Sequence, residues 1–209
     1  MSQKADRFLV IDVESVGLHG EGFAVGWVEI DRAGVVHGEG RAWCEPSKAV
    51  DHDDPDGRAW VAANVPRPSG IQPLADTRSV RDAFWKVWQE AKARGVLLAA
   101  DCCWPVESRF LAACVGDDPH SRRWAGPYPL IDVSSVILTA GLDPSATFPR
   151  REDELPQHDP LTDARQSARL LAESLRLLDG VLHNDGDGGP DPSGRAPAAP
   201  GREGEGGGA

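Results

Sequence analysis

Phe8–Leu18, FLVIDVESVGL, decides how the chain is read. Phe8-Leu9-Val10-Ile11 is an apolar run with β-branched residues, long enough for a buried strand. Asp12 and Glu14 follow on alternate positions. Residues i and i+2 of a strand point to the same face, so both carboxylates leave one side of the strand end. Gly17-Leu18 then closes the strand in a turn. An arbitrary pair of strand acids more often faces solvent. Here the preceding residues look interior, and burying two unpaired carboxylates costs several kcal/mol, about the ion-burial penalty. Like charges this close repel unless a cation or a proton sits between them. Hard oxygen ligands suit Mg²⁺ or Mn²⁺, and a site of that kind needs further acids from the rest of the chain.

The 209 residues are 40% hydrophobic, enough for one sizeable domain with a real core. A formal net charge of −11 argues against a general nucleic-acid binder, which is usually basic. It leaves room for an enzyme that meets phosphates through bound metal. No apolar run reaches about 18 residues, so no membrane span is expected. The first residues, MSQKADR, lack the apolar core of a secretory signal. Cys44, Cys102, Cys103 and Cys114 form no C-x-x-C pair, which argues against zinc and disulfide frameworks and for a reducing, cytoplasmic location.

Gly22–Asp31 and Gly34–Cys44 read as strands two and three, joined by a short hairpin link, so the first three strands are antiparallel. Phe23, Val25 and Trp27 share one face of the second. His19-Gly20-Glu21-Gly22 connects strands one and two beside the acids, either as a plain link or as the border of a groove. Asp51–Gly57 is an acidic, turn-rich run without the spacing of a calcium loop, and reads as a solvated loop. A short helix follows over Gly57–Asn64. Ser79–Arg94 is an amphipathic helix on Val80, Phe84, Val87, Trp88 and Ala91, stopped by Gly95. Its aromatic stripe reads as core.

Val96–Ala100 is a buried, parallel-type strand with Asp101 at its end. Pro105–Cys114 is a helix with Glu107 in its first turn. Leu130–Val133 is a short strand, and Ser134–Ala140 a short helix. Arg150 and Arg151 stand in a polar loop, as phosphate contacts or as ordinary surface residues. The last helix starts at Asp159-Pro160 and runs on Leu161, Ala164, Ala168, Leu171, Leu175 and Leu178. From residue 184 the chain is Gly, Pro, Asp and Ala, too polar to order itself. The expected organisation is a domain over 1–183 and a disordered Gly/Pro/acidic tail over 184–209. Strand and helix order predicts an α/β fold: a mixed sheet, three antiparallel strands followed by parallel ones, flanked by helices.

Acids thus stand at strand ends or helix starts in three segments: Asp12 and Glu14, Asp101 and Glu107, and Asp163. His158 lies five residues before Asp163, on the loop into the last helix. This pattern resembles the DEDDh branch of the DnaQ-like 3′–5′ exonuclease superfamily, with its RNase H-like fold. The first family motif, D-x-E-[ST]-x-G-L, stands here as Asp12-Val13-Glu14-Ser15-Val16-Gly17-Leu18. The third, His, four residues, then Asp-Ala, stands as His158 through Asp163-Ala164. Leu130-Ile131-Asp132 also looks like a family feature. The middle motif departs from H-N-x-x-F-D-x-x-F-L. Register on Phe110-Leu111 puts Glu107 at the ligand position. Residue identity instead favours Asp101, which is otherwise a supporting partner or a substrate contact.

The resemblance implies hydrolysis of phosphodiester bonds at the 3′ end of single-stranded DNA or RNA, with two Mg²⁺ or Mn²⁺ ions. Asp12, Glu14 and Asp163 would hold one ion; Asp12 and the middle acid would hold the other. His158 would be the general base. Ser15, Gly17 and Leu18 would meet the terminal nucleotide, with His19 and Phe23 as further contacts. Related exonucleases are often homodimers, so that state stays open, and no membrane partner is implied. Two other functions remain open: an inactive nucleic-acid-binding or scaffold protein on this fold, and a hydrolase of dinucleotides or very short oligonucleotides.

Overall fold

A computed structural model describes residues 6–50 and 54–184. Five strands form one sheet in the order β3-β2-β1-β4-β5. β1 (Arg7–Ser15), β2 (Gly22–Asp31) and β3 (Val36–Trp43) are antiparallel. β4 (Leu97–Ala100) and β5 (Leu130–Asp132) add on in parallel beside β1. This is the mixed sheet expected from the sequence. The helices are α1 (Pro55–Asn64), α2 (Thr77–Ala93), α3 (Val106–Gly116), α4 (Pro119–Arg122), α5 (Val133–Thr139) and α6 (Pro160–Asn184). The four-residue α4 is absent from the sequence reading. Asp118 caps it through the amide of Ser121 at 3.3 Å.

β1 is central and its apolar residues alternate between two cores. Leu9, Ile11 and Val13 pack with α2 and α3 through Phe84, Trp88, Phe110 and Leu111. Phe8 and Val10 pack on the opposite side with Val28, Ile30, Ile137, Ala168 and Leu171 of β2, α5 and α6. Each large apolar side chain buried in this way contributes about 1.5–3 kcal/mol before chain entropy is counted. The aromatic stripe of α2 is core, as read. At the two ends of α2, Asp76 accepts the Ser79 amide at 2.8 Å and Gly95 takes a φ of 76°.

Of the acidic run at 51–57, residues 51–53 lie outside the described residues. Asp54 caps α1, accepting the Gly57 amide at 2.7 Å. The tail expected at 184–209 lies outside them too, apart from Asn184, which ends α6. No helix among the described residues is long and apolar enough to cross a membrane. All four cysteines are free thiols.

Candidate active site

Period-two geometry carries Asp12 and Glu14 to the side of β1 that α6 covers. They continue the face of Phe8 and Val10, past the point where apolar packing ends. Asp12 pairs across the sheet with Gly26. A Cβ on Gly26 would lie 2.2 Å from the Pro160 carbonyl. The missing side chain lets the start of α6 settle onto the sheet beside Asp12.

The start of α6 is held from several directions. Asp159 accepts the Leu161 amide at 3.0 Å and pairs with Arg41 at 2.5 Å. Thr162 donates its hydroxyl to the Pro156 carbonyl at 2.5 Å. His158 adopts a φ of 64°, a left-handed conformation that few side chains take up. Its amide donates to Asp163 Oδ2 at 3.1 Å, and Arg150 donates to Asp163 Oδ1 at 2.5 Å. A helix start with its acid in the first turn thus carries His158 and Asp163 to one place.

The middle segment adds two acids from the ends of neighbouring elements. Glu107, in the first turn of α3, is 7% exposed. Asp101 follows β4 and accepts the Ser134 hydroxyl at 2.6 Å. Both line a cavity of about 460 Å³ together with Asp12, Glu14, His158 and Asp163. One ligand atom from each of Glu14, His158 and Asp163 lies within 4.8 Å of the others. Asp132 does not line the cavity; it caps α5 through the Ser135 amide at 2.9 Å.

Electrostatics mark this cluster as short of positive charge. Burial, and then the charges of Glu14, Asp163, Glu107 and Asp101, push the Asp12 carboxyl well above the carboxylate range. Burial together with Asp163, Glu107 and Asp159 raises Glu14 to about 8. Burial raises Glu107 to about 7 against the pull of nearby backbone donors. Asp163 is raised by burial despite Arg150 and His158. A buried carboxylate group of this kind is stable either with shared protons or with cations, and its all-oxygen acids match hard divalent ions.

An apolar pocket of about 310 Å³ adjoins the acids, lined by Val13, Ser15, Gly17, Leu18, Trp60 and Val106. Gly17 turns there with a φ of 66°, and a Cβ on it would lie 2.2 Å from Asp54 Oδ2. The start of α1 therefore packs against the turn, and α1 carries Trp60 to the pocket. Leu18 projects freely at 64% exposure and lines both cavities.

Three expectations need correction or extension. Phe23 is 2% exposed and packs in the core, so it is not a substrate contact. Its alternation on β2 signalled burial, and burial is what it has. His19 lines a different cavity, with Arg81, Arg109 and Phe110. Arg150 is no free surface residue but part of the acid cluster. The sequence reading missed Trp60, Trp104, Cys102, Gln166 and Ser167 at the site. Gln166 and Ser167 follow Asp163 within a turn of α6, so helix spacing was the available signal; Trp60 had none.

A scan against protein-family models finds no match, and neither does a search of curated proteins. Among solved structures, a product-bound exonuclease I matches 86% of this chain and 46% of its own length, with a TM-score of 0.57 and 15% identity. Exonuclease I from Methylocaldum szegediense matches 86% of this chain and 43% of its own, at a TM-score of 0.56 and 16% identity. Escherichia coli exonuclease I in complex with a 5cy-dT13 oligonucleotide gives 0.53 and 17% over 86% of this chain and 43% of its own. The chain spans less than half the length of these neighbours. The likeness shows that its mixed sheet and flanking helices are the RNase H-like fold.

Proposed function

We propose that this chain is a metal-dependent nuclease that removes nucleotides from the 3′ end of single-stranded DNA or RNA. One observation carries the proposal: five carboxylates and an imidazole, from β1, the end of β4, α3 and the start of α6, line one cavity beside an apolar pocket. The likeness to exonuclease I supports it at the level of fold. The chain's own motif around Asp12 to Leu18 supports it at the level of residues.

Two Mg²⁺ or Mn²⁺ ions fit the donor set. Asp12, Glu14 and Asp163 would hold one, and Asp12 with Glu107 the other. Bound there, the ions would neutralise the acids and stabilise charge on the reacting phosphate oxygens. His158 acts as general base and takes a proton from the attacking water; imidazole is the side chain suited to that at neutral pH. Leu18 and Trp60 present apolar surface to the terminal base, and the backbone of Ser15–Leu18 meets its sugar. Asp101 stays bonded to Ser134, joining the end of β4 to the start of α5.

The test is Mg²⁺-dependent release of mononucleotides from matched 3′-labelled DNA and RNA strands, alongside dinucleotides. Wild type should release label with Mg²⁺ and lose activity with a chelator, and Asp12→Asn should be inactive. Identical traces for wild type and Asp12→Asn would exclude the nuclease. Cleavage confined to dinucleotides would replace the substrate class with very short oligonucleotides.

A further inference from the structure

Arg150 is the one arginine or lysine side chain lining the acid cavity among the described residues. Its guanidinium donates to Asp163 Oδ1 at 2.5 Å and to the Glu154 carbonyl at 3.0 Å. Asp163 Oδ2 meanwhile accepts the His158 amide at 3.1 Å. Each oxygen of Asp163 therefore already has a protein donor, and one of those donors carries full positive charge.

The segment behind Arg150 is fastened to α6. Arg169 binds the Glu154 carboxylate at 2.6 and 2.9 Å and the Pro149 carbonyl at 3.0 Å. Gln166 donates to the Phe148 carbonyl at 3.1 Å. Glu154 is 2% exposed and accepts the Arg151 amide at 2.9 Å. The backbone of Arg150 is thus anchored on both sides, while its side chain keeps the rotatable stem of any arginine. Such a group can leave one anion without any movement of the fold.

Charge balance gives the residue its place. With no ion bound, Arg150 is the one arginine or lysine charge facing the five carboxylates among the described residues.

Building on the assignment of this cavity as a metal centre, we propose that Arg150 is a resident counter-cation. It holds Asp163 in the ion-free protein, and the divalent ion must displace it to bind. Arg150 thereby sets the metal affinity of the site and keeps it from filling at low ion concentration. The exchange is reciprocal: whatever Arg150 takes from ion binding, the ion takes from the contact of Arg150 with Asp163.

Calorimetric titration of Mn²⁺ into wild type, Arg150→Gln and Arg150→Lys tests this, above neutral pH where protons compete least for the carboxylates. Arg150→Gln should bind Mn²⁺ more tightly, by roughly 5- to 150-fold for a coupling of ordinary size. Arg150→Lys, which keeps the charge, should stay close to wild type. A second measurement needs no variant. Modification of wild-type Arg150 by a dicarbonyl reagent, read by peptide mass spectrometry, should speed up when Mn²⁺ is added. Equal or weaker Mn²⁺ binding by Arg150→Gln overturns the proposal, as does Mn²⁺ that leaves Arg150 modification unchanged or slower. Wild type that binds no Mn²⁺ at all overturns the metal-centre assignment itself, which is a separate result.

Discussion

The indole of Trp60 meets the imidazole of His158 edge to face, with ring centroids 4.9 Å apart and planes at 77°. The two residues come from α1 and from the loop before α6, almost a hundred positions apart. Nothing in the local sequence of either points to the other. The contact gives the candidate base an aromatic neighbour.

Trp60→Leu should therefore keep the apolar pocket but loosen the imidazole. Aromatic pairs of this geometry are worth about 0.5–1.5 kcal/mol, so turnover should fall by roughly 2- to 12-fold. Trp60→Phe should recover most of it. Mn²⁺ affinity should not change. A Trp60→Leu enzyme with wild-type turnover and pH profile would leave the contact without a role.

The acid cluster predicts how stability follows pH in the ion-free protein. Glu14 is raised from its ordinary 4.5 to about 8, and Glu107 to about 7. Between these values and 4.5 the folded state binds protons that the unfolded chain does not. Stability must then rise as pH falls from above 8 towards 5. Below that, carboxylates held low by arginine, such as Glu154 with Arg169, are lost and the trend reverses. Mg²⁺ replaces the protons, so it should raise the melting temperature more at pH 8 than at pH 6. Melting curves with chelator and with Mg²⁺ check this. A chelated protein that loses stability between pH 8 and pH 6 contradicts the account.

Legibility in the sequence followed the range of the interaction. β1, β2 and α2 were readable because alternation and helical spacing are local, and Gly95 and Asp159 marked element ends by their own chemistry. Asp12 and Glu14 were readable for the same reason: i and i+2 share a face. Phe23 lies close to the first motif in sequence but not at the site, because its side chain turns into the core. Arg150 and Trp60 reach the site through tertiary packing of a loop and a helix, which no spacing rule encodes. The choice between Asp101 and Glu107 stayed open because a strand end and a helix start adjoin the same cavity.

Gly26 ties the sheet to α6, and its prediction is steric. A methyl group there would meet the Pro160 carbonyl and the Leu161 amide at 2.2 and 2.4 Å, both backbone. Backbone cannot rotate away, so α6 must lift from β2. Gly26→Ala should cost about 1–3 kcal/mol of stability or more. It should also reduce activity beyond that loss, because Asp163 and His158 ride on the displaced end. Wild-type melting and activity in Gly26→Ala would show that the helix seats itself without this gap.

Glu107 and Asp101 differ in what they already hold. Asp101 Oδ1 is engaged by the Ser134 hydroxyl at 2.6 Å, while burial raises Glu107 to about 7. A buried carboxyl with so high a value gains more from a cation than one already bonded to a hydroxyl. Glu107→Gln should therefore weaken Mn²⁺ binding and activity more than Asp101→Asn does. The reverse ranking in titration and assay would move the middle-motif role to Asp101.

His158 stands where two roles overlap. It lies within ligand distance of Glu14 and Asp163, and it also has the chemistry of a general base. The roles separate by experiment because an ion needs its ligands before any substrate arrives, whereas a base is needed only for turnover. The acids alone supply enough oxygen donors for hard ions, so the base assignment predicts that His158→Ala still binds Mn²⁺ with near wild-type affinity. Its turnover should fall by about 10²–10⁴-fold. Loss of turnover and of Mn²⁺ affinity together would instead make His158 a ligand, and the proton acceptor would have to be sought among the carboxylates.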